Sequence, residues 1–565
     1  MESVYFAKRK IRYILALLGL CATFACIAVV SVKDDGLTID EIVHIPSGFA
    51  ALRDQNFIIN LEHPPLYKMI AAVPLLFQNI NYKTDLIFSG SEYESNEINT
   101  FYTLNKSNYD NILFAGRVAL IVFNTFLLFI LGMLLRQIIS PVPALLGVFF
   151  IAFEPNFFAH ARYITTDAGV ALFSVLSLTA FGIFLKKQRS TYLYLTALFL
   201  GAALLSKFSA ILIYLFILVF QIFYELKQFF KPDGVKTFKK IFFNSALILI
   251  APWLLVYLVI FGAAMHVNTN QLNYKIKNGL HTTESTSETS IFLRPVFIYK
   301  IGFNHVTIRS RLGHQQSHLP QYLNGEVRVN KGWWYYFPLA LLYKETPTLL
   351  VLFALSLILF WRKNTEAHPL EKLLLFFSGI YLCVSITSDL NIGIRHILPM
   401  ITSLTLQAIM LLSRQQFWLK YKLWYGAVAF QLFSLISIYP YYTAYFNVFA
   451  GGPANGYKHL LDSNLDWGQN LKRLYFWAQK NKIESITVHS WMETYSDLFD
   501  EGKIFKHRLS SENGKPKGYL AISITAIELG GKFLPKGYER LERMYLRNMK
   551  PVAVVAHSFL VYHFP

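Results

Sequence analysis

Long apolar runs recur along the chain and predict its architecture. A membrane crossing by an α-helix needs roughly 17 to 25 predominantly apolar residues. Stretches of about that length, separated by short polar or basic segments, predict about eleven transmembrane helices. They cover residues 13–32, 113–135, 141–158, 167–185, 191–206, 208–225, 241–264, 346–361, 371–388, 396–413 and 422–440. The pattern predicts a polytopic α-helical membrane protein.

The composition supports this fold class. The chain has 565 residues, of which 54% are hydrophobic, 16% aromatic and 15% charged, and a single soluble core does not absorb so much apolar surface. The net charge of +19 raises the question of a nucleic-acid partner. However, Lys and Arg cluster in short loops between the apolar runs, where orientation in a membrane explains them. A nucleic-acid partner is not expected, because phosphate binding along a strand needs a contiguous basic surface.

The distribution of basic residues predicts the orientation in the membrane. Four basic residues precede the first span, and no small-residue cleavage site comes before Asp34, so this span is predicted to be an uncleaved anchor. With a cytoplasmic amino terminus, the basic loops fall on the inner side. The predicted transmembrane domain, residues 1–440, then carries two external loops, 33–112 and 265–345. Residues 441–565 are also external.

The carboxy-terminal segment differs in its pattern. Short β-branched runs at residues 486–489, 519–524 and 552–556 follow a helical stretch at 470–480. Charge also rises here. Residues 441–565 are therefore predicted to form a small external α/β domain.

The positions of the charges help to separate an enzyme from a transporter. Ion-coupled transporters keep titratable groups at membrane depth, whereas the interiors of the predicted spans carry no carboxylate. Acidic residues and cations instead meet at the external boundary. They are Asp40, Glu41, Glu62, Glu154, Asp167 and Asp389, with Arg162, Lys207 and Arg395. This arrangement suits a reaction on an anionic lipid headgroup, and a transporter or flippase of lipid-linked sugars stays the alternative.

Several segments resemble a known family. "TIDEIVHIPSGF" followed by "LEHPPLYKMIAAVPLLF" resembles the bacterial protein O-mannosyltransferases and family 39 glycosyltransferases. Further similar segments are "EPNFFAHARYITTDA", "GAALLSKFSA", "NIGIRHILP" and "YFNVFAGGPANGYKHLLDSNLDWGQNL". The resemblance implies a GT-C fold, a bacterial inner membrane location and a polyprenyl-phosphate-linked sugar as donor. It also implies transfer with inversion at the anomeric carbon.

The resemblance favours Asp40 as the catalytic base, with Glu41 or Glu62 assisting. A carboxylate can take the proton of an incoming hydroxyl group. Guanidinium and ammonium groups can hold the donor phosphate, and the residues assigned to it are Lys68, Arg162, Lys207, Arg395 and His396. An aromatic face with carboxylate and amide groups suits a pyranose. The residues assigned to sugar or acceptor are His44, His63, Asp167, Asp462, Asn464, Asp466, Trp467 and Gln469.

Structural explanations exist for the same residues. Asp40 and Glu41 could cap a helix that begins near Ile42. Pro64 and Pro65 could start a short interfacial helix at 66–77. The three cations Arg162, Lys207 and Arg395 could be interface anchors, and His160 and His396 could be packing residues. Residues 462–469 could form a turn and cap the following helix.

Two differences from the family leave the sugar and the acceptor open. The external loop 265–345 is too short for the β-trefoil insert of the eukaryotic mannosyltransferases. Aminoarabinose transferases place Lys directly before the Pro-Pro pair, where this chain has His63. The acceptor is therefore a glycolipid, an envelope polysaccharide or a protein. No metal is assigned, although the Asp-Glu motif leaves room for a divalent cation.

Overall fold

In a computed structural model, the chain forms a bundle of helices with a mixed β-sheet packed at one end. The structure describes all residues except 1, 83–99, 231–233, 281–289, 314–319, 330, 363–367, 415–422, 491–492, 501, 507–509, 513–514 and 531–545. Parts of the two predicted external loops, 33–112 and 265–345, therefore lie outside the described residues.

The described helices follow the predicted apolar runs. In chain order they are α1 (Glu2–Val32), α2 (Ile39–Arg53), α3 (Leu66–Ala72), α4 (Tyr109–Leu135), α5 (Pro141–Ala152), α6 (Pro155–Ala161), α7 (Asp167–Lys187), α8 (Ser190–Leu204), α9 (Ile211–Phe229), α10 (Gly234–Ala263), α11 (Thr269–Leu280), α12 (Arg294–Leu312), α13 (Tyr336–Lys344), α14 (Pro347–Phe360), α15 (Pro369–Ser385), α16 (Leu398–Arg414), α17 (Leu423–Ser437), α18 (Asn470–Lys480) and α19 (Ile524–Leu529).

Six of the described helical segments are long and apolar enough to cross a membrane. They are Lys8–Val32, Lys106–Leu135, Asp167–Lys187, Phe208–Phe229, Lys239–Ala263 and Ile394–Arg414. Two bent pairs, α5 with α6 and α13 with α14, bring the number to eight. The predicted spans 191–206, 371–388 and 422–440 correspond to the shorter helices α8, α15 and α17. A multi-pass membrane protein is confirmed, and the count of eleven stays a prediction.

One expectation about the spans is wrong. Glu225 lies within the segment Phe208–Phe229, and it is buried. Its carboxylate accepts hydrogen bonds from Gln221 and Asn244, so amide groups on the same and a neighbouring helix satisfy it. These hydrogen bonds satisfy the buried carboxylate.

Two helices form the centre of the bundle. In α7 and in the segment Ile394–Arg414, 94% of the residues in the most apolar 18-residue stretch are buried. The corresponding share is 28% in Lys8–Val32 and in Lys239–Ala263. Both central segments begin with charged residues, since α7 starts at Asp167 and Arg395 lies in the 3-10 turn Ile394–Ile397 before α16. The best-packed part of the fold therefore positions these two charges.

The short helices α2 and α3 lie against each other. A Cβ atom at Gly48 of α2 would collide with the carbonyl group of Lys68 in α3, so glycine permits the close approach. The predicted short helix at 66–77 is present as α3 followed by the 3-10 turn Val73–Phe77. Its N-cap is Pro65.

The carboxy-terminal segment contains strands and helices, as the sequence predicted. Two strands, β1 (Gln321–Leu323) and β2 (Glu326–Arg328), lie in the predicted loop 265–345. The strands of the carboxy-terminal segment are β3 (Ile486–His489), β4 (Phe505–Lys506), β5 (Ser510–Glu512), β6 (Lys515–Ser523), β7 (Ala553–Val555) and β8 (Phe559–Phe564). β1 and β2 pair as an antiparallel hairpin, and the larger sheet has the order β4-β3-β6-β8-β7 with β5 beside β6. β3 runs parallel to β4 and β6, whereas β8 is antiparallel to β6 and β7. The domain boundary at 440/441 and the external location stay predictions.

Polar contacts join the start of α18 to the helix bundle. The Arg473 guanidinium bonds the Asp35 carboxylate at 2.5 Å and the carbonyl oxygen of Ser31 at 2.9 Å. The amide of Ile39 donates to the Trp467 carbonyl at 3.0 Å. Residues just before the carboxy-terminal sheet are therefore fixed against the end of α1 and the beginning of α2.

Candidate active site

A cavity of about 380 Å³ lies where α2, α12, the start of α16 and the segment before α18 meet. Cavities of this size hold small ligands or parts of larger ones. Eight of the residues singled out from the sequence line it, and these are Asp40, Glu62, His63, Lys207, Arg395, His396, Asp462 and Trp467. The fold thus brings half of the predicted site residues to one space.

Four charged groups of alternating sign are in contact here, and three of them, Asp40, Arg395 and Lys207, line the cavity. Arg395 Nη1 donates to Asp40 Oδ2 at 2.8 Å and lies 3.5 Å from Asp167 Oδ2. Lys207 Nζ bonds Asp167 Oδ1 at 2.5 Å. Asp167 is 1% exposed and lies behind the two cations, so the structure does not bring this predicted sugar ligand to the cavity surface. The Asp40 carboxylate keeps 16% of its surface exposed.

The Arg395 side chain is also stacked. Its guanidinium carbon lies 3.8 Å from the ring centroid of Trp467, a cation–π arrangement that fixes the plane of the guanidinium group. His160 is a second neighbour of Trp467, with its ring centroid 5.7 Å away. His160 is buried and does not line the cavity, which agrees with its interpretation as a packing histidine.

Glu41 has a different position from Asp40, although the two are adjacent. Its carboxylate is fully buried and pairs with both Nε and Nη2 of Arg117, at 2.8 and 2.6 Å. It also accepts from the backbone amides of Thr38 and Ile164, and with the Thr38 side chain it completes a capping box at the start of α2. All its acceptor positions serve the fold, so Glu41 is not placed to act on a substrate in the cavity.

Lys68 and Arg162, which the sequence assigned to the lipid phosphate, do not line the cavity. Lys68 Nζ is buried and donates to the backbone carbonyls of Asn60 and His63 and to the Asn60 side chain. Arg162 is buried and pairs with Asp35 at 3.1 Å. Both cations hold loops in place, because a buried charge needs its partners.

Arg309 of α12 is a cavity residue that the sequence analysis missed. It pairs with the carboxylate of Glu62, which also lies 3.1 Å from His305 Nε2. Arg309 and Glu62 each keep 32% of their side-chain surface exposed. Desolvation lowers the pKa of Arg309 from its ordinary value. The signal that could have found it is a basic residue in a predicted external loop, where such residues are the exception.

His44 and His63 lie side by side next to Asp40. Their ring centroids are 5.5 Å apart, and each can offer a ring nitrogen within 4.8 Å of an Asp40 oxygen and of the other ring. Burial lowers the pKa of His44 to about 4, and the Lys68 cation adds to this. Burial also lowers the pKa of His63 well below its usual range. Both imidazoles are therefore neutral near pH 7, and only His63 lines the cavity.

Two of the five site residues predicted in the segment 462–469 line the cavity. Asp462 and Trp467 line it. Asp462 adopts a left-handed conformation with a φ of 58°, which Asp and Asn tolerate better than other residues. Burial raises the pKa of Asp462 to about 6, against the opposing effect of Arg395.

The other three residues of this segment have structural contacts. Asn464 accepts from the amide of Ile394 at 3.0 Å and donates to the Tyr336 hydroxyl. Asp466 accepts from the amide of Gly468, and burial raises its pKa. Gln469 accepts from the Trp467 amide and donates to Thr443. These contacts match the interpretation of the segment as a turn.

Comparison with known families supports the resemblance inferred from the motifs. Residues 100–256 match the family model described as dolichyl-phosphate-mannose-protein mannosyltransferase. The predicted resemblance, and with it the class of glycosyltransferases, is confirmed over this part of the chain. No curated protein matches the sequence.

Three solved structures are similar to this chain at low identity. The protein O-mannosyltransferase Pmt1-Pmt2 complex of S. cerevisiae bound to the sugar donor has 17% identity and a TM-score of 0.35, over 49% of this chain and 37% of that chain. ArnT from Cupriavidus metallidurans bound to undecaprenyl phosphate has 12% identity and a TM-score of 0.48, over 96% and 97%. The oligosaccharyltransferase AglB from Archaeoglobus fulgidus, in complex with an inhibitory peptide and a dolichol-phosphate, has 13% identity and a TM-score of 0.41, over 90% and 71%. The match thus covers less than two thirds of the yeast chain. Because all three TM-scores are below 0.5, no function is assigned to this chain from these similarities.

Proposed function

We propose that the chain is an inverting glycosyltransferase that moves a sugar from a polyprenyl-phosphate-linked donor to an acceptor hydroxyl group. The acceptor is a glycolipid, an envelope polysaccharide or a protein at the external face of a bacterial inner membrane. One observation carries the proposal. The partly exposed Asp40 carboxylate lies at 2.8 Å from Arg395 in a cavity that also holds Lys207 and Arg309.

Asp40 is the proposed general base. The oxygen of the acceptor hydroxyl attacks the anomeric carbon from the face opposite the phosphate, and its proton passes to the Asp40 carboxylate. The bond between the anomeric carbon and the phosphate oxygen breaks, and its electron pair stays on the phosphate. Attack from the opposite face inverts the anomeric configuration.

Arg309, Arg395 and Lys207 are the proposed ligands of the donor phosphate. Cations held in a partly desolvated cavity stabilise the negative charge that develops on the leaving phosphate. Arg309 is the most exposed of the three, since its side chain keeps 32% of its surface against 7% for Arg395 and 10% for Lys207. It can exchange its contact with Glu62 for a phosphate at little cost, because a partly exposed ion pair is weak.

An apolar groove supports a donor with a lipid tail. This groove, of about 780 Å³, runs between α9, α10 and α12 and is lined by residues that include Trp253, Tyr299 and Phe303. Phe303 lies on the same helix as Arg309, about two turns away. Phe208, the neighbour of Lys207, packs against Phe303 with ring centroids 6.0 Å apart. A phosphate in the cavity thus places an attached isoprenoid chain beside the groove.

Turnover of a labelled donor tests the proposal. The full-length protein is reconstituted into vesicles with undecaprenyl-phosphate-linked sugars labelled in the sugar, and with envelope lipids as acceptors. We expect release of undecaprenyl phosphate and transfer of label, both lost in an Asp40→Asn variant. Movement of intact donor across the bilayer without release would contradict the proposal and favour a flippase.

A further inference from the structure

We propose that Asp40, His44 and His63 bind one divalent transition-metal ion, for which zinc is best suited. One ligand atom of each residue lies within 4.8 Å of the other two, so shifts on the order of 1 Å bring them to tetrahedral zinc distances. Two imidazoles with one carboxylate are a ligand set that suits zinc and neighbouring metals rather than magnesium or calcium. Three protein ligands leave a fourth position open.

The hydrogen bond of His44 orients its free nitrogen. His44 Nδ1 lies 2.7 Å from the carbonyl oxygen of Ile164, and a carbonyl only accepts, so Nδ1 carries the proton and donates it. The Nε2 lone pair of the neutral ring is then unprotonated. A carbonyl that accepts a hydrogen bond from the other ring nitrogen, and so fixes the tautomer, is a regular feature of metal-binding histidines.

His63 contributes a buried nitrogen that the fold leaves unused. Its Nδ1 has no hydrogen-bond partner among the described residues. A buried polar atom without a partner leaves room for a water molecule or an ion. The ring stands edge-on to His44, with an angle of 71° between the two planes, so that both rings border the same small space beside Asp40.

The carboxylate of Asp40 supplies the negative charge of the site. Its Oδ2 atom accepts a hydrogen bond from Arg395 Nη1 at 2.8 Å. Arg395 and Lys207 both also contact Asp167, which offsets part of the positive charge near the ion. Asp40 and His44 are four residues apart on α2, so they project from the same face of the helix.

The open coordination position faces the cavity, since Asp40 and His63 both line it. An ion there would bind the oxygen atom of the acceptor hydroxyl group and lower the pKa of that group, which compensates for the weaker basicity of a metal-bound Asp40 carboxylate. This role in transfer rests on the proposed function, whereas binding of the ion rests on the three ligands alone.

Cobalt binding tests the site directly. The full-length protein in detergent is treated with a chelator, titrated with Co²⁺, and followed by visible absorption, while bound Zn²⁺ is measured by elemental analysis after dialysis. We expect one Co²⁺ ion per chain, with the visible absorption spectrum of tetrahedral or five-coordinate cobalt. His44→Asn keeps a donor for the Ile164 carbonyl but removes Nε2, and His63→Ala removes its ring. Loss of an outer hydrogen-bond partner of a ligand typically weakens metal binding roughly 10- to 100-fold, and each variant, which removes a ligand itself, should weaken it at least as much.

The matched control is His396→Gln, which removes another cavity histidine that is not part of the triad. It should bind Co²⁺ like the unmodified protein. Absence of stoichiometric binding in the unmodified protein, or equal binding in the folded His44→Asn and His63→Ala variants, would overturn the site. The binding measurement needs no sugar transfer, so it decides the site even if the proposed function fails. Transfer that is unchanged after complete metal removal would overturn only the role in transfer.

Discussion

Arg395 Nη1 lies 2.8 Å from Asp40 Oδ2, although 355 positions separate the two residues in the chain. Asp40 lies in the first turn of α2, next to a carboxylate that is buried in the fold, whereas Arg395 lies at the start of one of the two central helical segments. The ion pair therefore joins the short helix α2 to the best-packed part of the bundle. The position of the proposed base depends on this contact and on the capping box beside it.

Replacing Asp40 with Asn should abolish most of the transfer. Asn keeps the shape of the side chain but cannot take a proton, so turnover should fall roughly 10²- to 10⁴-fold, measured with labelled donor in vesicles. Donor affinity should change little. Asp54→Asn at the end of the same helix is the control and should keep full activity. A folded Asp40→Asn protein with near-normal turnover would remove Asp40 from the mechanism.

Replacing Glu41 with Gln should destabilise the protein. The change leaves the buried Arg117 guanidinium without its charged partner, and breaking a buried ion pair costs about 3 to 5 kcal/mol. Thermal unfolding in detergent should show a clear drop in melting temperature. Glu326→Gln, in the surface pair with Arg328, should leave the melting temperature unchanged. A Glu41→Gln protein of normal stability with no turnover would instead return Glu41 to the catalytic residues.

Replacing Arg309 with Ala should weaken use of the donor. Hydrogen bonds to charged groups are worth about 1.5 to 3 kcal/mol, so KM for the donor should rise on the order of 10- to 100-fold. Arg311→Ala is the control, because it removes the same charge from the same helix at an exposed position outside the cavity. Equal kinetics for the two variants would exclude Arg309 as a phosphate ligand.

Stability should depend on pH through Asp462. Its pKa is raised to about 6 in the folded protein, so the folded state holds the proton more tightly than the unfolded state. This contribution to stability is present at low pH and is lost as pH rises through about 6. Asp462→Asn accepts the left-handed backbone and carries no charge. The stability of Asp462→Asn relative to the unmodified protein should therefore rise between pH 5 and pH 7.5, by about 1.4 kcal/mol, the equivalent of one pKa unit. A pH-independent difference in denaturant unfolding would contradict this.

The carboxy terminus should lie on the external face, together with Asp40. The basic loops between the predicted spans fall on one side, which places both sequence segments on the other. A reporter enzyme that is active only outside the cytoplasm, fused after Pro565, should show activity in cells. The same reporter fused after Arg189, in a predicted inner loop, should be silent. The reverse result would overturn the eleven-span topology.

Much of the fold was predictable from periodicity, and less of the site was. The apolar runs predicted helices at each span, and the strand at 486–489 and the helix at 470–480 were predicted within their observed bounds. Sequence cannot distinguish Asp40 from Glu41, because their roles differ only through the distant Arg117. Arg309 was missed for a related reason. Its partner Glu62 lies 247 positions away, and nothing in the local pattern connects them.

The segment with Asp462 and Trp467, which completes one wall of the cavity, also bears on how the protein is made. Ribosomes add about 5 to 20 residues per second, so this wall emerges roughly a minute after Asp40. For most of that interval the nascent chain carries Asp40 but lacks Arg395, and it lacks Trp467 throughout. The cavity around Asp40 can therefore close only when synthesis is nearly finished.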